Sequence, residues 1–228
     1  MKMKASKWMS NLESITSPGM LIVVSGPSGV GKGTLCNMLI DSVENLFLSI
    51  SATTRPPRAG EIDGQNYYFM STEVFEDKIK KGEFLEWAKV YNNYYGTPKD
   101  KVFKQLREGK DVILEIDIQG AAQVKRNYPE GVFIFISPPS IDELKKRITK
   151  RGTDSADSIE LRVKCAAEEI KAALEYDYIV LNDDLNQAAL RLQSIILAER
   201  CKVLRNTKLL QKLREECGDD AAVHRLTY

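Results

Sequence analysis

An α/β fold organised around a parallel sheet is predicted by three features of the sequence. The apolar run at residues 20–24 passes straight into a glycine-rich turn and then into a segment of helical period. Residues 132–136, Val-Phe-Ile-Phe-Ile, are continuously apolar, as a strand covered on both faces should be. Runs of this kind alternate with helical patterns, and a parallel sheet with right-handed crossovers satisfies that alternation.

Taken in order, residues 1–19 read as a polar leader ending in Ser17-Pro18-Gly19. A strand at 20–25 follows, then the glycine loop, then a helix from Lys32 with Leu35 and Leu39 on one face. Residues 46–51 are the next strand candidate. Residues 52–97 change character, mixing Arg, Gly, Pro and Tyr with short apolar pieces. Within them, 67–69 and 84–90 read as strands, and 72–80 as a small helix capped by Ser71 or Thr72. This stretch is too short and polar to stand alone, so it reads as a lobe inserted over the main sheet. The core pattern resumes with a helix at about 101–108, a strand at 111–117 and a helix from Gln119-Gly120. After strand 132–136, helices are expected at about 141–149 and 158–174, a last strand at 178–181 and a helix at 185–199. Residues 200–228 read as a short amphipathic helix and a frayed end.

Composition narrows the function classes. The chain has 228 residues, 43% of them hydrophobic, enough for one sizeable core with a small lobe. Its 33 Lys and Arg balance 32 Asp and Glu, which gives no global steering toward nucleic acid or an anionic membrane. Cys36, Cys165, Cys201 and Cys217 are too dispersed for a zinc motif, and a reduced cytoplasmic protein is expected. Cys36 and Cys165 fall in helical patterns and are expected in the core. The basic N-terminus lacks the apolar core of a signal peptide, and the run at 20–25 is too short to span a bilayer. His224, the single histidine, sits near the C-terminus, which argues against histidine-dependent chemistry.

The strongest motif is Gly26-Pro27-Ser28-Gly29-Val30-Gly31-Lys32-Gly33-Thr34. Gly26 to Lys32 satisfies the G-x-x-x-x-G-K spacing, whose backbone N–H groups and following helix N-terminus attract nucleotide phosphates. Lys32 would reach the β- and γ-phosphates and neutralise charge that moves in transfer. Gly33 stands where a magnesium-binding Ser or Thr is expected, and Thr34 lies one further.

A second site is indicated by Ser51, Arg55, Arg58, Glu61 and Tyr67. Two arginines three apart could clamp another phosphate with forked donors, and Tyr67 could add a hydroxyl. Glu61 or Glu86 could accept from a guanine N1–H and exocyclic amine, a donor pair that adenine lacks. Glu115 and Asp117, two apart at a strand end, would share a face and could order magnesium or hold an arginine. Arg147, Arg151 and Arg162 flank a polar segment and could close over phosphates, expelling the water that competes as acceptor.

These motifs together resemble the guanylate kinases, bacterial type, from about Leu21 to about Ile196. The most specific block runs from Ser51 to Phe69 and includes Arg55-Pro-Pro-Arg58 and Glu61. Further matches are Gly82-Glu-Phe-Leu-Glu86-Trp87, Asn93-Tyr-Tyr95-Gly-Thr97, Glu115-Ile-Asp117-Ile-Gln-Gly120, Pro138-Pro-Ser140 and Arg151-Gly-Thr153. The resemblance implies the P-loop nucleoside monophosphate kinase fold: a parallel core, an inserted GMP-binding lobe and a short lid that close on binding. It implies transfer of the ATP γ-phosphoryl group to GMP, and to dGMP, with Mg2+ accompanying ATP. Ser51, Glu86 and Thr97 resemble the guanine readers. Arg55, Arg58, Tyr67 and Tyr95 resemble the GMP phosphate clamp, with Glu61 and Asp117 in support. Lys32, Arg147, Arg151 and Arg162 match residues that bridge the transferring phosphates, and Asn182 matches one near the adenine. Thr34, Glu115 and Asp117 are the candidates to meet magnesium, directly or through water.

The expected layout is a leader at 1–19, core at 20–51, GMP lobe at 52–97, core at 98–149, lid at 150–158, core at 159–199 and helical tail at 200–228. A monomer or homodimer is expected, with no nucleic-acid or membrane partner. Two other readings stand beside this one. Gly-Lys-Gly-Thr is reminiscent of adenylate kinases, although the Arg55–Tyr67 block speaks against them. A silent phosphopeptide-binding scaffold is opposed by the intact phosphate loop.

Overall fold

In the computed structural model, which describes residues 18–90, 92–150 and 156–216 (156–160 as helix backbone alone), the apolar runs pair into a five-stranded parallel sheet. Along the chain the elements are β1 (Leu21–Ser25), α1 (Lys32–Ser42), β2 (Leu46–Leu48), β3 (Ala52–Thr53), β4 (Tyr68–Phe69), α2 (Thr72–Lys80), β5 (Phe84–Val90) and β6 (Asn93–Pro98). They continue with α3 (Lys99–Arg107), β7 (Asp111–Glu115), α4 (Ile118–Asn127), β8 (Val132–Ser137), α5 (Ile141–Lys150), α6 (Ala156–Lys171), β9 (Tyr178–Leu181), α7 (Leu185–Arg200) and α8 (Thr207–Glu216). Residues 1–17, 91, 151–155 and 217–228 lie outside the described residues, and with them most of the leader expected at 1–19, much of the lid expected at 150–158, and Arg151, Trp8, Cys217 and His224.

The main sheet has the order β2-β7-β1-β8-β9. Its strands are buried on both faces because two apolar layers cover them. Ile22 and Val24 of β1 join Leu35, Leu39, Leu192 and Ile196 from α1 and α7. Leu21 and Val23 of the same strand join Val102, Leu106, Ala121 and Val124 from α3 and α4. The strand's period of two thus divides one apolar run between two cores. The loops after β1, β2, β7 and β9 all emerge at the carboxyl ends of parallel strands, where such sheets bind ligands.

A second, mixed sheet has the order β4-β3-β6-β5. It packs on Phe75 of α2, whose ring stacks on Phe84 at 4.3 Å and on Tyr94 at 5.3 Å. Strands β3 and β6 have no counterpart in the periodicity reading. The first has two residues, and the second carries Tyr, Gly and Pro in place of a β-branched alternation.

Several element ends differ from expectation for local reasons. Helix α3 starts at Lys99, directly after Pro98, whose fixed φ suits a helix entrance. The strand expected at 111–117 stops at Glu115, and Asp117 turns outward as the N-cap of α4, accepting from the Gly120 amide at 2.7 Å. Helix α6 gives way to a 3₁₀ turn at Ala172–Glu175. Cys36 is buried as expected, but Cys165 is exposed because the buried stripe of α6 passes through its neighbour Ala166. No described helix is long and apolar enough to cross a membrane.

Candidate active site

The phosphate loop leaves β1 through three glycines in the left-handed region: Gly26, Gly29 and Gly31, at φ 146°, 87° and 101°. All three are closely surrounded, Gly29 by the Ile148 side chain at 2.7 Å from a would-be Cβ, and Gly26 and Gly31 by polar groups. A Cβ would come within 2.4 Å of the Ile136 carbonyl at Gly26 and 2.7 Å of Asn182 Nδ2 at Gly31. Both conformation and space therefore demand glycine. Lys32, at the start of α1, folds back so that Nζ donates to the Gly26 carbonyl at 2.6 Å and the Pro27 carbonyl at 3.2 Å. Burial holds its ammonium pKa below the usual lysine value, against the pull of Glu115 and Glu169. Thr34 is exposed on the first turn of α1. Glu115, at the end of β7, lies across from Gly33, with both carboxylate oxygens 3.4 Å from where a Cβ would stand.

Asn182 and Arg147 brace this loop from beneath. Asn182 Nδ2 donates to the Val30 carbonyl at 2.8 Å, and Arg147 Nη1 donates to the Asn182 carbonyl at 3.1 Å. The resemblance sets Asn182 near the adenine, whereas here its carboxamide is buried and turned into the loop. Arg147 also reaches Glu143 at 3.2 Å. Arg162 is half-buried on α6.

The second cluster forms around Arg55. Its guanidinium makes a forked pair with Glu61, at 3.0 and 2.8 Å, and lies 5.5 Å from the Tyr67 ring centre. Glu61 also accepts from the Arg58 amide at 2.7 Å. Arg55 and then Arg58 hold the Glu61 carboxyl below its usual range. Both Glu61 carboxylate oxygens are thus engaged with the arginine loop. Tyr95 packs edge-on against Tyr67 at 6.1 Å, while the Arg58 side chain is exposed.

A third cluster surrounds Glu86, which is 7% exposed. The Thr97 hydroxyl donates to its Oε1 at 2.6 Å, and a Cβ on Gly120 would lie 2.9 Å from its Oε2. Burial pushes the Glu86 carboxyl up to about 7, and the Asp117 carboxylate adds to the rise.

A cavity of about 430 Å³ is lined by Ser51, Tyr67 and Glu115, with Ser49, Gln65 and Asn66, between the second sheet and the main one. A cavity of about 420 Å³ at the other end of β1 is lined by Leu21, Phe103, Tyr128 and Leu204, and none of the residues expected in the site reaches it. Asp117 is the main departure from the sequence reading. It does not share a strand face with Glu115, because the chain has already turned into α4 and one carboxylate oxygen is committed to the helix cap. Reasoning from sequence missed Glu169, half-buried on α6 and within electrostatic reach of Lys32. It lies seven residues after Arg162, on the same helical face, and that spacing was its only signal. Gly120 was also missed as a contact of Glu86, since nothing local reveals it.

Comparison with known proteins agrees in one direction. A family model described as "Guanylate kinase" matches residues 19–199. The chain is 58% identical over 203 residues to a guanylate kinase of Caldanaerobacter subterraneus subsp. tengcongensis, covering 89% of this chain and 98% of that one. It is 59% identical over 196 residues to one of Clostridium tetani, covering 85% and 94%. Its fold is similar to the crystal structure of guanylate kinase from Anaplasma phagocytophilum, with a TM-score of 0.72 at 35% identity over 91% of this chain and 99% of that one.

Proposed function

The chain belongs to the guanylate kinase family and transfers a phosphoryl group from ATP to GMP, and on that premise we propose how its residues divide the work. The observation that carries the proposal is the buried Glu86 carboxylate with Thr97 on one oxygen. Its neighbouring charge is a second carboxylate, Asp117, and burial has raised its pKa. Such a group gains most from a ligand that brings donors, and the N1–H and exocyclic amine of guanine are two donors side by side. Adenine presents an acceptor at N1 and would leave the carboxylate unsatisfied. Ser51 at the cavity wall completes the reading of the base. Because these groups address the base and not the sugar 2′ position, dGMP is an expected acceptor too.

Arg55, held by Glu61, forms the phosphate clamp with Tyr67, Tyr95 and Arg58. Burial raises the Tyr67 phenol pKa, so it stays protonated and donates at neutral pH. Asp117 supports the reading of the base indirectly, by starting α4 beside Glu86. On the other side, residues Gly26 to Thr34 wrap the ATP phosphates, and Lys32 exchanges its two loop carbonyls for β- and γ-phosphate oxygens. Asn182 serves the ATP site by bracing Val30. Arg147, Arg151 and Arg162 supply positive charge to the transferring phosphoryl as the lobes close, and closure excludes water. In-line transfer then needs alignment and charge stabilisation more than a base.

Magnesium suits the oxygens present. The Glu115 carboxylate lies over Gly33 and the Thr34 hydroxyl is exposed beside it, both hard donors of the kind that hold magnesium through a few ligands and water. There it would supply positive charge that offsets the charge of the ATP phosphates. Asp117, with one oxygen committed to its helix cap, is the weakest of the three candidates. Free thiols at Cys36, Cys165 and Cys201 suit a reducing cytoplasm as the setting. Every residue named lies in one chain, so the proposed chemistry is the same for a monomer or a homodimer.

The test is ADP production from magnesium-ATP with GMP, dGMP, AMP, CMP and UMP offered separately. Turnover with GMP and dGMP alone is expected. Preference for AMP would overturn the Glu86 and Thr97 roles. Absence of turnover with every acceptor, in protein that binds ATP, would overturn the catalytic reading in favour of a scaffold.

A further inference from the structure

We propose that Gln123 is a positioning residue for guanine recognition: it holds the outer edge of β5 against α4 and so sets where the Glu86 carboxylate stands. The inference rests on the reading of Glu86 as the base reader. Strand β5 is an edge strand in the order β4-β3-β6-β5, so its outer backbone groups lack a neighbouring strand. One residue of that edge is nevertheless paired. The Trp87 amide donates to Gln123 Oε1 at 3.2 Å, and Gln123 Nε2 donates to the Trp87 carbonyl at 2.9 Å. A single carboxamide thus imitates a strand neighbour, making both bonds to one residue across 36 positions of sequence.

The location of this contact gives it consequence. Phe84 pairs with Pro98 and Trp87 with Gly96, so three steps on β5 oppose two on β6. Leu85 and Glu86 therefore occupy a bulge opposite Thr97, and bulges re-aim side chains. The bulge explains why Phe84, Leu85 and Glu86 are buried in succession where a regular strand would alternate. A bulge on an edge strand has a neighbouring strand on one side alone to hold it. Here the residue immediately after it is fixed from outside by Gln123, and Glu86 itself is walled by Gly120, one turn earlier on α4. Since α4 follows β7 of the main sheet through Asp117, the same helix links the phosphate-transfer side to the base-reading side.

The test compares GMP with inosine monophosphate, which lacks the exocyclic amine, as acceptors in the intact enzyme. In Gln123→Met and Gln123→Ala the KM for GMP should rise about ten- to a hundredfold. The preference for GMP over inosine monophosphate should shrink, while the KM for ATP and the melting temperature stay near wild type. Loss of stability alone would move both acceptors together and leave the preference intact. Glu86→Gln separates the two readings. If it retains the preference, Glu86 is not the base reader and the premise falls. If it loses the preference but both Gln123 variants keep theirs, only the Gln123 proposal falls. Should neither Gln123 variant fold, hydrogen exchange at the Trp87 amide of the wild-type protein decides. Protection is expected, and exchange at the rate of a free amide overturns the proposal.

Discussion

Glu86 shows how one residue couples recognition to protons. Its carboxyl is pushed up to about 7 by burial, so near neutral pH the free enzyme is partly protonated there. Guanine donors favour the charged form, and GMP binding should release a proton below that pH. The KM for GMP is therefore expected to fall as pH rises from about 6 to about 8, with the KM for ATP unaffected, in steady-state kinetics across that range. The stability sign runs the other way. A carboxyl with a raised folded pKa gives its full stabilisation below its unfolded value near 4.5 and loses it as pH rises through about 7. Glu86→Gln should accordingly flatten the decline of melting temperature over that window while weakening GMP use. Lys32 is the other decisive residue. Its ammonium is desolvated and makes two hydrogen bonds to loop carbonyls that phosphate can replace. Lys32→Met should lower kcat by about 10²–10³ while the melting temperature holds, measured by coupled assay and thermal denaturation.

At the level of elements, the phosphate loop is a helix N-terminus prepared by backbone conformation. Gly31 is the N-cap of α1 at φ 101°, and Asn182 fills the space where a side chain would begin. Gly31→Ala combines a strained left-handed residue with that collision, at a cost of about 1–3 kcal/mol. The expected outcome is a lower melting temperature together with weaker ATP binding by calorimetry; unchanged ATP affinity would show that the loop conformation is not what holds the phosphates. The small helix α2 is legible in one dimension. Its Ser71 cap accepts from the Val74 amide at 3.4 Å, and Glu73 lies in the first turn where the dipole favours it.

Across the whole molecule, stability and chemistry occupy opposite ends of the main sheet. At the amino ends, buried Asp111 accepts from the Met20 amide and from Arg200 Nε, both at 2.7 Å, tying β7 to β1 and to the end of α7. At the carboxyl ends lie the phosphate loop, Glu115 and the cavity beside Ser51. Asp111→Ala leaves the Met20 amide without its partner and Arg200 with the Glu44 carbonyl alone, and should cost about 1–3 kcal/mol in denaturant unfolding. The KM values for ATP and GMP should be unchanged, because no nucleotide contact is touched. A change in either KM would mean that the two ends of the sheet are coupled.

The sequence alone determined the elements whose signals are local. The strands at 20–25 and 132–136, the loop from Gly26 to Lys32 and the helix at 72–80 follow from apolar runs, glycine spacing and a cap, all read within a few residues. It also offered Glu86, with Glu61, as a carboxylate able to read a guanine, while Thr97 came through a resemblance and not through any periodicity. Only the tertiary structure decided what those residues meet. Short β3 and tyrosine-rich β6 become strands because neighbours supply their hydrogen bonds, a contribution absent from their own composition. Asp117 left its strand for a helix cap because the chain turned one residue after Glu115. Gln123 became a substitute strand for Trp87 across 36 residues. A pairing at that separation is set by packing of the two elements, and no local preference in either segment encodes it.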